Sequence, residues 1–230
     1  MRLSDEFRNY LISQGASLVG FADLNNVIDG DMTTGISVAV ALPKEVIRNI
    51  SDGPTLDYYD TYHEVNKILN TIVLRGEAYL TERGYKAFAQ TTERVEEYGI
   101  YRTKIPHKTV ATNSGLGWIG KSALFLTKEY GAAIRLSSII TDAKLDYGSP
   151  VTKSICGDCM ICANACPANA ILGELWNIYR DRDEFYDAIA CRKEARRLAK
   201  ERIDREITLC GKCIEVCPYT RKYINIGLSS

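Results

Sequence analysis

The first 155 residues contain no cysteine, and all eight cysteines of the chain lie between positions 156 and 217. Scattered structural thiols and a chain-wide disulfide framework are thereby excluded, and the thiol chemistry is confined to one segment. The sequence also lacks any run of the roughly 20 apolar residues that a membrane-spanning helix requires. Its opening stretch, MRLSDEFRNYLISQG, has no apolar core of signal-peptide length. The expected location is therefore cytoplasmic, with no membrane partner, and in that reducing compartment the cysteines are expected as thiols or metal ligands. Net charge is absent as well: 29 Lys plus Arg balance 29 Asp plus Glu. No global field draws such a protein to nucleic acid, so a nucleic-acid role would rest on a local patch. There are two histidines, His63 and His107, and no internal repeat beyond the cysteine groups.

What is present suits a globular protein. The chain has 230 residues, 46% hydrophobic and 25% charged, enough to bury a core in one compact domain with a smaller module attached. Residues 3–14 read as an opening helix with Phe7, Leu11 and Ile12 on one face and Gly15 as its stop. A short strand is expected near 17–21. The run GISVAVAL at 35–42, ended by Pro43, has the pattern of a strand buried on both faces and placed centrally in a sheet. From 56 to 82, Tyr62, Val65, Leu69, Ile72 and Tyr79 recur at steps of three and four, with Gly76 continuing the stripe, which predicts one long amphipathic helix. Residues 86–90 read as a strand, and the TTERVEEYG stretch as a solvated helix or loop. Residues 123–126 and 132–141, with a turn at Gly131, predict a β-hairpin. The character changes between 142 and 151, so the expected domains are 1–145, an α/β cofactor and substrate domain, and 146–230, a ferredoxin-like module. The fold class is α+β. A charged helix over 192–205 reads as a solvated face laced with i,i+4 pairs, or alternatively as a docking surface for RNA or a partner.

The cysteines carry the strongest signal. Residues 156–167 read C-G-D-C-M-I-C-A-N-A-C-P, the C-x2-C-x2-C-x3-C-P run of bacterial two-cluster ferredoxins. Three thiolates at steps of three take three corners of one cubane, while the fourth, after a bend fixed by Pro167, points to the other cluster. A second group, Cys210-x2-Cys213-x3-Cys217-Pro218, is the same motif without its first cysteine, and Cys191 upstream fills the vacancy by arithmetic. The exchange rule assigns Cys156, Cys159, Cys162 and Cys217 to one [4Fe-4S] cluster and Cys166, Cys191, Cys210 and Cys213 to the other. Two structural zinc sites are the alternative, although zinc favours C-x2-C pairs separated by a longer loop.

The segment Ser114-Gly-Leu-Gly-Trp-Ile-Gly-Lys121 is neither a dinucleotide fingerprint nor a phosphate loop, because its spacings differ. Gly115, Gly117 and Gly120 permit close approach of a bulky ligand, Trp118 can stack or fill, and Lys121 can meet a negative group. A tight turn that only packs against the sheet explains the same residues.

Residues 113–142, NSGLGWIGKSALFLTKEYGAAIRLSSIITD, followed fourteen positions later by the cysteine run and then by its second copy, closely resemble the epoxyqueuosine reductases. The Tyr62-His63 pair fits that family's pattern too, and the resemblance spans roughly residues 57–219. It implies a nitroreductase-like α/β domain, shared in outline with reductive dehalogenases, holding base-off cobalamin beside two cubanes, with His63 and the 115–121 loop at the cofactor. It further implies an external low-potential electron donor and the epoxyqueuosine nucleoside of tRNA as substrate. Two departures stand out. The sequence ends 13 residues after Cys217, without the family's helical repeats that help grip tRNA. Where the family places an acidic proton donor, ungapped counting puts Tyr101, a phenol needing activation by a neighbour such as Arg102 or Lys104. The rivals are a flavin enzyme with the same clusters and an electron-transfer protein that reductively activates a separate corrinoid protein.

Overall fold

The computed structural model describes residues 2–226. In chain order the elements are α1 (Leu3–Ser13), β1 (Leu18–Asp23), β2 (Thr34–Ala41), α2 (Lys44–Arg48), α3 (Leu56–Thr81), β3 (Ala87–Gln90), β4 (Glu97–Tyr98), β5 (Arg102–Thr103), α4 (His107–Asn113), β6 (Trp118–Ile119), β7 (Phe125–Leu126), β8 (Ile134–Thr141), α5 (Ile161–Asn164), α6 (Ala188–Ile203), α7 (Lys212–Glu215) and α8 (Pro218–Asn225). They form two compact units, each assembled from three segments. The first comprises the chain up to Ala41, Glu64–Gly117 and Arg135–Thr152; the second comprises Leu42–His63, Trp118–Ile134 and the chain from Lys153 on.

The first unit is built on a four-stranded sheet of order β1-β2-β8-β3. As the continuous apolar run predicts, β2 lies inside that sheet and is buried along nearly its whole length. β1 pairs antiparallel with β2, and β3 antiparallel with β8. The helical stripes of α1 and α3 supply the core facing the sheet, with Phe7, Leu11, Leu69, Ile72 and Leu80 all buried. Gly76 permits this packing, because a Cβ there would stand 2.5 Å from Ile139 Cδ1 and 3.0 Å from Leu11 Cδ2. Such separations are too short for carbon atoms to share without displacement.

The predicted 123–141 hairpin is a correction. Phe125 and Leu126 pair instead with Trp118 and Ile119 in a two-stranded ribbon, whereas β8 enters the main sheet. The turn at Gly131 is real, closed by hydrogen bonds between Thr127 and Gly131 in both directions at 3.0 and 3.1 Å. Local sequence marks a turn but not the partner a strand will choose, and an eight-residue apolar strand buries more surface between two neighbours than in a ribbon. After buried Thr91 the TTERVEEYG stretch is mostly exposed, as expected, and ends in a second small ribbon, β4 with β5.

The second unit is mostly loops and short helices. α6 begins at Asp187, whose carboxylate accepts from the Ile189 and Ala190 amides, a cap that satisfies amides the helix leaves unpaired. Its outer face is a lattice of ion pairs, Arg197 with Glu194 and Glu201, and Lys200 with Asp204. Among the described residues no helix is long and apolar enough to cross a membrane.

Candidate cluster-binding site

The eight cysteines all lie in the second unit, and all are free thiols. In the first motif, Cys159 N donates to Cys156 O at 3.2 Å, α5 carries Cys162, and Cys166 N donates to Ala163 O at 3.2 Å. In the second, α7 carries Cys213, and Cys217 caps α8 with Pro218 in the first turn. Cys191 sits in the first turn of α6, its amide held by Asp187 O at 3.1 Å. Cluster-ligand spacing is legible because each step of three residues is one tight turn.

Electrostatics sort the thiols into two groups. Burial pushes the Cys162 thiol up to about 11, aided by the charges of Cys217, Cys156 and Cys159. Burial also raises Cys191 and Cys210; Cys191 feels Cys166, and Cys210 feels both Cys191 and Cys166. Cys213 is raised strongly by burial and then by Cys210, Cys191, Cys162 and Cys166. The neighbours are the two quartets of the exchange rule, with Cys162 and Cys213 meeting where they adjoin. Among the described residues no three His, Cys, Asp or Glu side chains converge to hold a single metal ion.

Hydrogen bonds to sulfur complete the cradle. Ala170 N donates to Cys166 Sγ at 3.4 Å. The Tyr219 and Thr220 amides and the Thr220 hydroxyl donate to Cys217. The Tyr186 hydroxyl donates to Cys191, and burial pushes that phenol well above its ordinary value. Such donors favour the thiolate and tune a cluster. The second motif is pinned by buried Glu215, which pairs with Lys212 at 3.1 Å and with Arg221. Tyr186 and Thr220 carried no signal in the sequence, since neither belongs to the spacing of the ligands.

Residues 155–220 match the family described as the 4Fe-4S double cluster binding domain, a span that contains all eight cysteines. Residues 155–220 are a double-cluster domain. The resemblance to epoxyqueuosine reductases is borne out around it. The chain is 34% identical over 114 residues to the epoxyqueuosine reductase of Cellulophaga algicola, an alignment covering 50% of this chain and 37% of that protein. The chain spans well under half the length of the first curated relatives it matches. Among solved structures, an epoxyqueuosine reductase with an epoxyqueuosine-modified tRNA-Tyr stem loop superposes with a TM-score of 0.62 at 20% identity, covering 95% of this chain and 65% of that one. A reductive dehalogenase described as acting by B12-dependent dehalogenation gives 0.69 at 16% identity, covering 97% of this chain and 33% of that one. These likenesses bear out the α+β fold with a double-cluster domain.

The expected cofactor loop divides between the units. Gly115, in the first unit, is itself exposed, but a Cβ there would stand 2.7 Å from Ser149 O. Gly117 is buried and is the last residue of its segment. In the second unit, a Cβ on Gly120 would meet Leu126 Cδ1 at 2.6 Å and Cys156 Sγ at 3.4 Å. Lys121 is buried and runs to Met160 Sδ at 3.4 Å, inside the double-cluster domain. Trp118 is buried against Tyr219, ring centroids 4.9 Å apart, and its Nε1 finds no hydrogen-bond partner among the described residues. A buried donor left unpaired costs on the order of 1–3 kcal/mol. His63 is exposed at the second unit's end of α3, edge-on to Tyr59 and Tyr62. Tyr101 is exposed in the β4–β5 turn with a left-handed φ of 52°.

The first unit also holds a polar cluster that sequence reasoning missed. His107 Nδ1 lies 2.8 Å from Ser138 Oγ, which accepts from Gln90 Nε2 at 2.6 Å. Arg135 donates twice to Asn66 Oδ1, at 3.1 and 2.9 Å. Desolvation first, and then the Arg135 charge, lowers the His107 pKa to about 4, so its imidazole is neutral at pH 7. The only hint in the sequence is a histidine directly after Pro106 at a helix start.

Proposed function

We propose that this chain is an iron-sulfur oxidoreductase of epoxyqueuosine-reductase type, in which an external low-potential donor feeds two [4Fe-4S] clusters and these reduce a base-off cobalamin. The observation that carries the reading is the sorting of eight thiols into two quartets within a double-cluster domain, on a chain whose fold is shared with epoxyqueuosine reductases and a B12-dependent dehalogenase. Cubane potentials reach about −700 mV at the low end, which suits a donor to cobalt. Cobalamin, when bound, supplies the reductive chemistry at its cobalt.

The chain's own residues have narrower tasks. Each quartet holds one cubane, and the donors to Cys166, Cys191 and Cys217 stabilise its charge. The orphan Nε1 of Trp118 is the group of the 115–121 loop that fits a polar acceptor on a bound cofactor, while Gly115 and Gly120 serve packing. His107, neutral and held by Ser138, is suited to hydrogen bonding within the first unit rather than to carrying charge. Tyr101 is assigned as proton donor to the substrate. The substrate class proposed is the epoxyqueuosine nucleoside of tRNA, and the setting cytoplasmic.

A second reading has one observation in its favour. The position expected to carry the proton donor is a tyrosine on an exposed turn, which suits an electron-transfer protein that activates a separate corrinoid protein. Anaerobic reconstitution followed by gel filtration with cobalamin separates the two. About eight irons per chain with a co-eluting base-off corrinoid spectrum, and turnover of an epoxyqueuosine tRNA stem loop, supports the reductase. Irons without retained corrinoid, and cobalt reduction only when a corrinoid protein is added, overturns it in favour of the activator.

A further inference from the structure

Lys121 is 5% exposed. A buried ammonium needs a compensating partner, since its desolvation is otherwise costly. Among the described residues no carboxylate pairs with it, and the contact its Nζ makes is to a thioether, Met160 Sδ, at 3.4 Å. A thioether is a weak acceptor and carries no charge. The surroundings show where the missing negative charge belongs. Met160 stands between Cys159 and Cys162, and the preceding residue, Gly120, presses its backbone to within 3.4 Å of Cys156 Sγ measured from a Cβ position. Lys121 thus reaches a residue inside the first cysteine motif, and its neighbour Gly120 approaches Cys156, all within the second unit.

We propose that Lys121 is the resident counter-charge of the cluster held by Cys156, Cys159, Cys162 and Cys217, and that it sets that cluster's potential above the value the same ligands would give alone. A cubane held by four thiolates is an anion, and reduction of its core from the 2+ to the 1+ level takes up one electron and no proton. A fixed ammonium beside it favours the more negative, reduced form. Lys121 acts as a positioning charge rather than a catalytic group. The glycine at 120 has a role in the same device: it lets the backbone come close enough for the next side chain to enter the cluster domain. The inference rests on the double-cluster domain alone and is independent of cobalamin.

The test is an EPR-monitored redox titration of the anaerobically reconstituted, full-length protein with dithionite. Wild-type iron content and two cluster signals establish the domain first, so their absence would fail the cluster reading and not the lysine. Lys121→Gln and Lys121→Met are then compared with wild type. Loss of the charge is expected to weaken reduction of one cluster about tenfold, a fall of ~59 mV for one electron, with the other cluster moved far less and Lys121→Arg close to wild type. Two unchanged potentials at full iron content would overturn the proposal. Where the neutral variants fail to retain the cluster, Lys121→Arg decides: retention of both signals supports a charge requirement, and loss equal to that of Lys121→Met shows that shape alone matters.

Discussion

Gly131→Ala is the most informative perturbation of the fold around the clusters. Gly131 has a φ of +57° in the turn before β8, and a Cβ on it would stand 2.5 Å from Thr220 Oγ1 and 2.6 Å from Thr220 Cα, closer still to the Thr220 nitrogen. The Thr220 nitrogen and Cα are backbone atoms, which cannot rotate away as a flexible side chain would. Left-handed backbone costs a non-glycine residue roughly 1–2 kcal/mol, and forced overpacking adds about 1–3 kcal/mol. The sum, about 2–5 kcal/mol, is large for a single substitution. The displacement also reaches the iron site. Thr220 accepts from Ala132 N at 3.0 Å and donates its amide and hydroxyl to Cys217, so moving it withdraws two donors from one cluster ligand. Gly99→Ala is the matched control: Gly99 has a similar φ of +54° and nothing within 4 Å of a Cβ, so it should cost only the backbone portion. The assay is urea unfolding of the anaerobic holoprotein together with iron content. We expect Gly131→Ala to unfold at clearly lower urea and to lose iron from the Cys217 cluster, with Gly99→Ala lowered only by the backbone portion and its iron content unchanged. Equal midpoints for the two variants would refute the close-approach argument.

Three further outcomes are expected. Cys191→Ser should abolish or strongly alter one of the two cluster signals, and full iron with both signals intact would strike Cys191 from the ligands. The depressed pKa of His107 means that its stabilisation of the fold is complete above about pH 6.5 and is lost as pH falls toward 4; because the residue is only partly buried, the loss is about 1–2 kcal/mol. His107→Gln should flatten the pH dependence of the urea midpoint between pH 6.5 and 4, and an unchanged slope would count against the assignment. Gly76→Ala, which drives a methyl into Ile139 and Leu11, should destabilise the first unit by about 1–3 kcal/mol while leaving both cluster signals of the folded protein unchanged.

The parts of this molecule that sequence could reveal are those in which local spacing and local geometry coincide. Three cysteines at steps of three stand on successive tight turns, and β2 announces its burial through an unbroken apolar run. Cys191 was reachable only by counting, because it stands in the first turn of α6, far along the chain from the cysteines it is grouped with. The pairing of β8 was misread for the same reason: a turn is local, a strand partner is not. Tyr186, Thr220 and the His107 cluster were invisible because hydrogen bonds across tens of residues leave no period in the sequence. The loop around Gly115 and Gly120 shows a subtler ambiguity. A glycine chosen for close approach looks the same whether a cofactor or Ser149 fills the space.

The chain enters and leaves its two units five times, at the joints following Ala41, His63, Gly117, Ile134 and Thr152. No single cut, whether by a protease or by recombination of genes, can release either unit whole. The eight cysteines nonetheless lie in one contiguous stretch, 156–217, so the segments 42–63 and 118–134 are what that stretch would leave behind. A truncation scan should accordingly find no internal endpoint that yields a stable, iron-loaded fragment.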